Sequence, residues 1–407
     1  MNIKKIIPKF VFSIYHFKLA LLSALLYGFP GYKIKVIGIT GTMGKSSTVI
    51  LIGKILEEAG FKIAWMTSAT IRVADKEILN PYHMTMPGRF AIQKFLKQAV
   101  IQKCDYAIIE VTSEGIKQFR HKFIDFKTAV FTNLKPEHIE AHGSFENYRA
   151  CKGKLFLTTR NCHIVNIDDD NAPYFLKFRA KHKLFFSTKK QGADIVYACL
   201  KSGGFSIEGV DFNLKLLGNF NIYNALAAVS IAKSEGIDVN TCKRALEKVS
   251  CIPGRMELMA EKPYKIIVDL AHTPDSYEEV FKAVEAMSHK RVISVFGSAG
   301  GGRDKWKRPV LGRIASQHSD IVILCNEDPY NENPEDIIKD IKKGIDNFCG
   351  FEILDRKEAI KKALDIAEDN DIVLILGKGT EQLMFLPSGK IHWDDREVVK
   401  EILTQKR

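Results

Sequence analysis

Short apolar runs rich in β-branched residues alternate along the chain with longer stretches of helical periodicity. The first runs that read as buried strands are Lys35–Thr40, Tyr106–Glu110, Thr128–Thr132 and His163–Ile167. A helix is predicted from Ser46 to Ala59, with Gly60 at its end. Because such strands are separated by helices or loops, the pattern predicts a mainly parallel sheet covered by helices on both faces.

A second series of the same kind begins after Pro253. Its predicted strands are Lys265–Asp269, Arg291–Phe296, Asp320–Leu324 and Asp371–Leu376, and its predicted helices are Ser276–Met287 and Asp355–Glu368. We place a boundary in the turn Cys251–Gly254. The predicted organisation is a helical appendage (1–33), a P-loop central α/β domain (34–252) and a smaller Rossmann-like α/β domain (253–407).

The loop Thr40-Gly-Thr-Met-Gly-Lys-Ser-Ser47 joins the first predicted strand to the first predicted helix. Backbone amides of such a loop, together with the helix N-terminus, bind phosphate oxygens. Lys45 is expected to reach the β- and γ-phosphates of ATP and Ser46 to bind Mg²⁺, with Thr42, Gly44 and Ser47 completing the loop. The strict motif has a glycine five residues before Gly44, where this chain has Ile39. The strand–loop–helix context favours an ATP site over a structural turn.

The segment before this loop is largely apolar from Phe10 to Phe29 and follows Lys4 and Lys5. His16 and Lys18 interrupt the run, which argues against a signal peptide or a membrane span. A helix packed on the next domain is the favoured interpretation, and peripheral membrane contact through residues 10–29 is the alternative. Because the loop needs cytosolic ATP, the protein is expected to be cytoplasmic.

The charge and the cysteine content bear on which binding partners and which kinds of site the protein can have. The formal net charge is +12, but the basic residues are spread along the chain and form no nucleic-acid readout motif. A positive electrostatic field would attract negatively charged nucleotide-linked substrates as well as nucleic acid. The eight cysteines form no CxxC pair, which argues against zinc and against a disulfide framework.

A series of short motifs beyond the loop makes the pattern specific. They are Glu110-Val-Thr-Ser, Phe131-Thr-Asn-Leu, His138-x-x-x-His-Gly143, Tyr148-x-x-x-Lys152, Gly218-x-Phe-Asn-x-Tyr-Asn224, Pro253-Gly-Arg-Met-Glu257, Asp269-x-Ala-His-Thr-Pro274 and Gly377-Lys-Gly-Thr-Glu381. In order and spacing, over roughly residues 34–385, they resemble the Mur ligase family, and within it the tripeptide-synthetase branch.

This resemblance implies an ATP-dependent ligase that converts a carboxylate to an acyl phosphate and then forms an amide with an amine. Glu110 and His138 match the family's Mg²⁺ ligands beside Ser46. Lys152 matches a lysine that family members carbamylate, so that it binds a second Mg²⁺. Other matched positions are Asn221 and Asn224 at the adenine, and Arg255 and His272 at the nucleotide. Without the motifs, structural roles are the alternative for His138, Lys152 and both asparagines.

The sequence departs from the family pattern around the two substrates. Only about 33 residues precede the first strand, so the uridine-binding domain is expected to be absent. One of two paired threonines is replaced in Thr85-Met-Pro87, while Thr112, Gln118 and Arg120 remain as expected contacts to a nucleotide-linked muramyl peptide or an analogue. At the amino-acid end, Arg303 and Glu381 match contacts to the incoming amino acid. The stretch Glu327-Asp-Pro-Tyr330 lacks the family's arginine for diaminopimelate, so Asp328 favours lysine or ornithine.

Two rival hypotheses remain open. Folylpolyglutamate-, poly-γ-glutamate- and cyanophycin-type ligases share this chemistry but act on other carboxylates. A non-catalytic nucleotide-binding protein is the rival from another class, although the set Lys45, Glu110, His138 and Lys152 argues against it. The leading hypothesis is a ligase that adds a diamino acid during cell-wall peptidoglycan synthesis.

Overall fold

The computed structural model describes residues 9–82, 84–201 and 204–405, so Lys4 and Lys5 lie outside the described residues. The chain divides into two compact units. The first contains the described residues up to Leu134, together with Glu146–Leu214 and Asn221–Val249. The second contains Lys135–Phe145, Lys215–Phe220 and the described residues from Ser250 onward.

The first unit is built on a nine-stranded sheet. Its strands are β1 (Lys35–Thr40), β2 (Ile63–Met66), β3 (Thr70–Val73), β4 (Lys76–Leu79), β5 (Tyr106–Glu110), β6 (Phe126–Phe131), β7 (Cys162–Asn166), β8 (His182–Ser187) and β9 (Ile195–Tyr197). Their order is β4-β3-β2-β5-β1-β6-β7-β8-β9, and pairing is parallel except at β2–β3 and β3–β4. Because β5, β1 and β6 are neighbours, their carboxyl ends bring three loops together at one edge.

The helices of the first unit flank this sheet. They are α1 (Lys9–Tyr27), α2 (Lys45–Glu58), α3 (Arg89–Ile101), α4 (Ser113–Lys117), α6 (Phe145–Thr158), α7 (Ala172–Leu176), α8 (Phe220–Ser234) and α9 (Val239–Lys248). A 3₁₀ turn spans Pro30–Tyr32, and β10 (Cys199–Lys201), β11 (Gly204–Ile207) and β12 (Val210–Phe212) form a small antiparallel sheet. The short helix α5 (Ile139–His142) belongs to the second unit.

The second unit contains a six-stranded sheet. Its strands are β13 (Glu257–Ala260), β14 (Lys265–Asp269), β15 (Val292–Phe296), β16 (Ile321–Leu324), β17 (Gly350–Glu352) and β18 (Ile372–Leu376), in the order β13-β14-β18-β15-β16-β17. Only β13 is antiparallel to its neighbour. A hairpin of β19 (Leu383–Leu386) and β20 (Gly389–His392) follows, and the helices are α10 (Pro274–Glu285), α11 (Lys307–His318), α12 (Pro334–Lys342), α13 (Arg356–Ile366) and α14 (Asp395–Gln405).

The side chains along each strand of the second unit point alternately to the two faces of the sheet, and each face is covered by helices. Ile267 of β14 lies in one buried cluster with residues of α10, α11 and α12, whereas its neighbours Ile266 and Val268 lie in another with α13 and α14. Successive strand side chains point to opposite faces, so each face of the sheet receives its own helical layer. The predicted α/β class, with a mainly parallel sheet in each part, is confirmed.

The N-terminal apolar segment forms α1, which packs against α3 of the first unit. Ala20, Ser23 and Ala24 of α1 are buried. Within the described residues, no helix combines the length and apolarity that crossing a membrane requires.

Candidate active site

The loop between β1 and α2 is fixed in place by the end of β6. The backbone amides of Thr42 and Met43 donate to the carbonyl and the side-chain oxygen of Asn133, at 3.0 and 2.8 Å. Gly44 has a φ of 79°, and a Cβ there would lie 2.3 Å from Oδ1 of Asn224. Gly44 therefore has to be a glycine, both for its backbone conformation and for the close approach of α8.

The side chains of this loop converge on its own backbone and on α6. Lys45 Nζ donates to the carbonyl of Thr42 at 2.7 Å, and the Thr42 and Tyr148 hydroxyls are 3.2 Å apart. Ser46 and Ser47 are buried in the first turn of α2. The arrangement provides what phosphate binding needs, namely a glycine-containing turn that leads into a helix N-terminus, with a lysine beside it.

Glu110 and two serines form a cluster of oxygen atoms next to the loop. The Ser46 hydroxyl donates to Glu110 Oε1 at 2.6 Å, the Ser68 amide donates to the same oxygen at 2.8 Å, and the two serine hydroxyls are 2.9 Å apart. Glu110 is almost fully buried at the end of β5. Mg²⁺ takes oxygen ligands, commonly one or two carboxylates completed by phosphates and water, so this donor set fits the ion.

Within the described ranges, no group of three or more His, Cys, Asp or Glu side chains is placed to hold a metal ion.

Lys152 reaches the same loop from α6. Its side chain is buried, and its Nζ donates to the carbonyl of Gly41 at 2.7 Å and lies 4.6 Å from the Tyr148 ring centroid. Its sequence neighbour two positions on, Lys154, is exposed. The helix therefore directs one lysine to the phosphate loop and the other to solvent, a difference that spacing alone could not predict.

Asn221 and Asn224 lie on one face of α8, against the start of α2. Asn224 Nδ2 donates to Asn221 Oδ1 at 2.9 Å, and the Thr48 hydroxyl is 3.3 Å from Asn224 Oδ1. Both asparagines are buried. The structure thus brings together the predicted residues Thr42, Lys45, Ser46, Glu110, Lys152 and Asn224 around a single loop.

A basic cluster surrounds the expected substrate contacts of the first unit. Arg120 donates to the carbonyl of Met86 and, at 2.8 Å, to Gln118 Oε1. Arg89 lies 2.7 Å from His16 Nδ1 and donates to the carbonyl of Gln118 at 2.7 Å. Burial, followed by repulsion from Arg89, lowers the pKa of Arg120, and burial lowers the pKa of Arg89.

His16 and Arg89 were not identified from the sequence. Arg89 is an ordinary basic residue at the start of a helix, and His16 is distant from it along the chain, so no local signal marked either one. Burial, followed by the charges of Arg89 and Arg120, lowers the pKa of His16.

Of the other predicted contacts, Thr112 caps α4 by accepting from the Gly115 amide at 3.1 Å, and Thr85 lies in the loop before α3.

His138 and His272 lie in the second unit, where both rings approach Glu137. Their Nε2 atoms are 3.6 and 3.4 Å from Glu137 Oε1. The Lys307 ammonium donates to the carbonyl of His272 at 2.8 Å, and burial lowers the pKa of Lys307. His138 is thus grouped with His272, whereas Ser46 and Glu110 belong to the first unit.

Arg255 lies in a turn that a buried carboxylate fixes. Asp269 accepts from the amides of Met256 and Ala271, both at 2.6 Å, and burial raises its pKa. Met256 directly follows Arg255, and Ala271 directly precedes His272. By holding these two amides, Asp269 positions both predicted nucleotide contacts. The sequence motif contained Asp269, but its supporting role required the fold.

The predicted amino-acid contacts Asp328 and Glu381 share one lysine. Lys378 Nζ donates to Asp328 at 2.9 Å, to Glu381 at 2.8 Å and to the Leu383 carbonyl at 2.8 Å, and its side chain is fully buried. Burial opposes its charge, but Glu381 and Asp328 outweigh that effect and raise the pKa of Lys378. Arg303 is exposed in the loop before α11.

Comparison with known proteins shows which family the chain resembles. Residues 39–232 match the Mur ligase middle domain, and residues 254–379 match the Mur ligase glutamate ligase domain. The UDP-N-acetylmuramoyl-L-alanyl-D-glutamate–2,6-diaminopimelate ligase of Clostridium botulinum is 36% identical over 403 residues, covering 95% of this chain and 81% of that protein.

The chain belongs to the Mur ligase family.

Two solved structures help to decide which branch of the family the chain resembles. A UDP-N-acetylmuramoyl-L-alanyl-D-glutamate–2,6-diaminopimelate ligase matches with a TM-score of 0.62 at 29% identity, covering 92% of this chain and 79% of that one. Folylpolyglutamate synthase from Mycobacterium tuberculosis, complexed with ADP, matches with a TM-score of 0.69 at 17% identity, covering 90% and 92%. The second match is one of fold alone, whereas the identities favour the tripeptide-synthetase branch.

Family membership makes the chain an ATP-dependent, amide-forming ligase whose relatives use ATP and Mg²⁺. The predicted enzyme class is therefore confirmed. The roles of individual residues, the boundaries at residues 33 and 252 and the carbamylation of Lys152 stay predictions.

Proposed function

We propose that this ligase joins a diamino acid to the carboxylate of UDP-N-acetylmuramyl-dipeptide, or of an analogue, in cytoplasmic peptidoglycan synthesis. The observation that carries the proposal is the convergence of Lys45, Ser46, Glu110 and Lys152 on one loop, in a chain similar over 95% of its length to a ligase of that name. Free thiols at all eight cysteines are compatible with a reducing compartment.

In the proposed reaction the substrate carboxylate attacks the γ-phosphorus of ATP, and ADP leaves. The amine then attacks the acyl carbon of the acyl phosphate, loses a proton, and the tetrahedral intermediate collapses with release of inorganic phosphate. The loop amides and Lys45 would hold the phosphates, and Ser46 and Glu110 would hold Mg²⁺, which supplies charge stabilisation to the transferring phosphoryl group. Asn221 and Asn224 would contact the adenine, and Arg255 and His272 the nucleotide.

Lys152 is the proposed site of carbamylation. A neutral lysine amine and CO₂ give a carbamate and a proton, which converts a cation into an anion able to bind a cation beside the phosphates. The side chain of Lys152 is buried, away from bulk solvent. The Lys152 Nζ lies 2.7 Å from the Gly41 carbonyl, so a carbamate on this atom would lie at the phosphate loop. His138 is proposed as a further ligand by its motif alone.

The carboxylate substrate is proposed to bind at the basic cluster of His16, Arg89 and Arg120, with Thr85, Thr112 and Gln118 beside it. The cluster concentrates positive charge next to Gln118, and a dipeptide ending in carboxylates, linked to a diphosphate, offers the opposite charge. Glu114 is a nearby carboxylate that accepts from Gln118 Nε2 at 2.7 Å, and its charge partly offsets the lowering of the pKa of His16 and of Arg120.

Replacing Arg120 with alanine is expected to raise KM for the muramyl substrate about 10- to 100-fold, because a charge-assisted contact is lost. KM for ATP should stay unchanged. Initial rates of phosphate release at varied concentrations of each substrate measure both constants. Arg179→Ala, at an exposed arginine of the same unit, is the matched control. Equal KM values for the muramyl substrate in Arg120→Ala and Arg179→Ala would remove Arg120 from the substrate site.

At the amino-acid end we propose diaminopimelate as the amine. The similar proteins are named for 2,6-diaminopimelate, and the charge of Asp328 is balanced by Lys378 rather than left to repel a second carboxylate. This differs from our sequence-based expectation of lysine or ornithine, which treated Asp328 as a partner for a side-chain ammonium of the substrate. Arg303 is the cation proposed for the α-carboxylate of the incoming amino acid, with Glu381 near its amine.

The decisive measurement is phosphate release from ATP with UDP-N-acetylmuramyl-dipeptide and one amine at a time, with the product identified by mass spectrometry. We expect turnover with meso-diaminopimelate that exceeds turnover with lysine or ornithine. Turnover with lysine or ornithine alone would restore Asp328 as a direct selector of a side-chain ammonium. Turnover with folate and glutamate instead would assign the chain to the folylpolyglutamate type. ATP binding without turnover on any substrate would support a non-catalytic nucleotide-binding protein.

A further inference from the structure

Helix α1 carries a stripe of large apolar side chains that face solvent. Its exposed members are Val11, Ile14, Tyr15, Leu22, Leu25 and Leu26, with exposed fractions from 39% to 68%. Their spacing of three, four and seven residues places them on one face of the helix, and Lys18 lies in the middle of that face. We name this set the α1 stripe.

The opposite face of α1 attaches the helix to the first unit. Ala20, Ser23 and Ala24 are buried there, and the Phe17 ring lies 6.0 Å from that of Phe119 and 5.5 Å from that of Phe123. A helix on a protein surface normally buries its large apolar residues and exposes its polar ones. In α1 small residues are buried while Leu22, Leu25 and Leu26 are exposed, so the stripe is available to a partner.

The sequence segment that contains α1 carries lysines and no acidic residue. The first acidic residue of the chain is Glu57, and the preceding 56 residues contain lysines at positions 4, 5, 9, 18, 33, 35, 45 and 54. Among the described ones, Lys18 and Lys33 are exposed on or close in sequence to α1, whereas Lys35 is paired with Glu235 at 3.0 Å. A partner for this surface therefore has to combine an apolar layer with negative charge.

We propose that α1 lies in the plane of an anionic phospholipid bilayer, with the α1 stripe in the acyl-chain boundary and the neighbouring lysines at the headgroups. A helix with an apolar face and lysines around it binds lipid interfaces in this orientation. Lys18 interrupts the stripe, but a lysine can bury its methylene stem and extend its ammonium to the headgroups. Each lysine near an anionic surface adds attraction that salt weakens.

A second copy of the chain fits this surface less well. Pairing two α1 stripes would bring together two segments that carry lysines and no acid, so like charges would repel across the contact. An anionic bilayer offsets the same charges. The bilayer also explains why the apolar residues are arranged lengthwise along a helix that lies flat and does not span.

The test uses the full-length protein and sedimenting vesicles. The bound fraction is compared for phosphatidylcholine alone and for phosphatidylcholine mixed with phosphatidylglycerol, at low and high salt. We expect strong binding only to the anionic vesicles and loss of part of that binding at high salt. Combined replacement Leu22→Ser, Leu25→Ser and Leu26→Ser is expected to lower the partition coefficient at least about tenfold. Lys18→Glu should lower it on anionic vesicles about tenfold.

The matched control is Ile101→Ser, Leu157→Ser and Leu200→Ser, which removes three equally exposed apolar residues outside α1. It should bind vesicles like the wild type. Circular dichroism and the ATP-dependent ligase rate in the absence of lipid should be unchanged in both triple variants. Failure of the wild type to bind anionic vesicles would overturn the proposal. So would a dimer, seen by light scattering, that the α1 triple variant dissociates, because the occupant would then be a second copy.

Discussion

Replacing Lys152 with alanine is expected to lower kcat for ligation by about 10²- to 10³-fold while the protein stays folded. This is the range seen when one group that stabilises developing charge is removed from an active site. Lys152 is buried, and its Nζ lies 2.7 Å from the Gly41 carbonyl of the phosphate loop, so its replacement changes the charge directly beside the phosphates. Phosphate release with saturating substrates measures the effect, and circular dichroism checks the fold.

The control for this change is on the same helix. Lys154 is exposed two residues further along α6, so Lys154→Ala alters net charge and helix composition equally without touching the loop. It should retain the wild-type rate. Wild-type turnover in Lys152→Ala would exclude a catalytic contribution from this lysine.

A second measurement separates a carbamate from a lysine that acts as an ammonium. In buffer depleted of CO₂ the wild-type rate should fall, and bicarbonate should restore it. Bicarbonate should have no effect on Lys152→Ala. A wild-type rate that is insensitive to CO₂, together with an inactive Lys152→Ala, would assign Lys152 to direct phosphate binding.

Sequence periodicity predicted the framework of this active site closely. The predicted strands Lys35–Thr40, Tyr106–Glu110 and Lys265–Asp269 coincide with β1, β5 and β14. These strands are buried on both sides in a parallel sheet, so their apolar runs are nearly uninterrupted and end abruptly at polar loops. The short antiparallel strands β3 and β4 were not predicted, because half-exposed four-residue segments carry little pattern.

Contacts between distant segments were the part that sequence could not supply. Lys378 lies inside a matched motif, yet its pairing with Asp328 depends on how the loop after β16 meets the loop after β18. The expectation that Asp328 selects an ammonium substrate ignored this buried lysine of the protein itself. His16 and Arg89 likewise meet only after α1 has packed on α3.

The division into compact units could not be predicted fully from the sequence either, because the second unit is not one continuous segment. The second compact unit begins at Ser250, close to our predicted boundary near residue 252, but it also includes Lys135–Phe145 and Lys215–Phe220. His138 belongs to the first of these segments. A motif read along the chain therefore does not reveal which compact unit supports each of its residues.

Loss of the Asp395 side chain is expected to destabilise the second unit by about 3–5 kcal/mol, the range for breaking one side of a buried ion pair. Arg356 and Asp395 have fully buried side chains and form a two-pronged contact, with Nε–Oδ1 and Nη2–Oδ2 distances of 2.8 and 2.7 Å. Burial opposes the charge of Arg356, but Asp395 outweighs it and raises the pKa of Arg356. Asp395→Ala would therefore leave a charged guanidinium buried without this carboxylate.

The same two helices offer a control pair. Lys357 and Glu401 also join α13 to α14, at 2.7 Å, but both are exposed, so Glu401→Ala should cost only about 0–1 kcal/mol. Hydrogen exchange of peptides from α13 and α14, with urea midpoints of the whole chain, compares the variants without requiring the two units to unfold together. The double change Arg356→Met with Asp395→Leu should recover most of the stability, since it removes both charges and keeps the volume apolar. If the double variant is as unstable as Asp395→Ala, the loss comes from packing around Asp395, including its 2.8 Å bond from Trp393, and not from an unpaired charge.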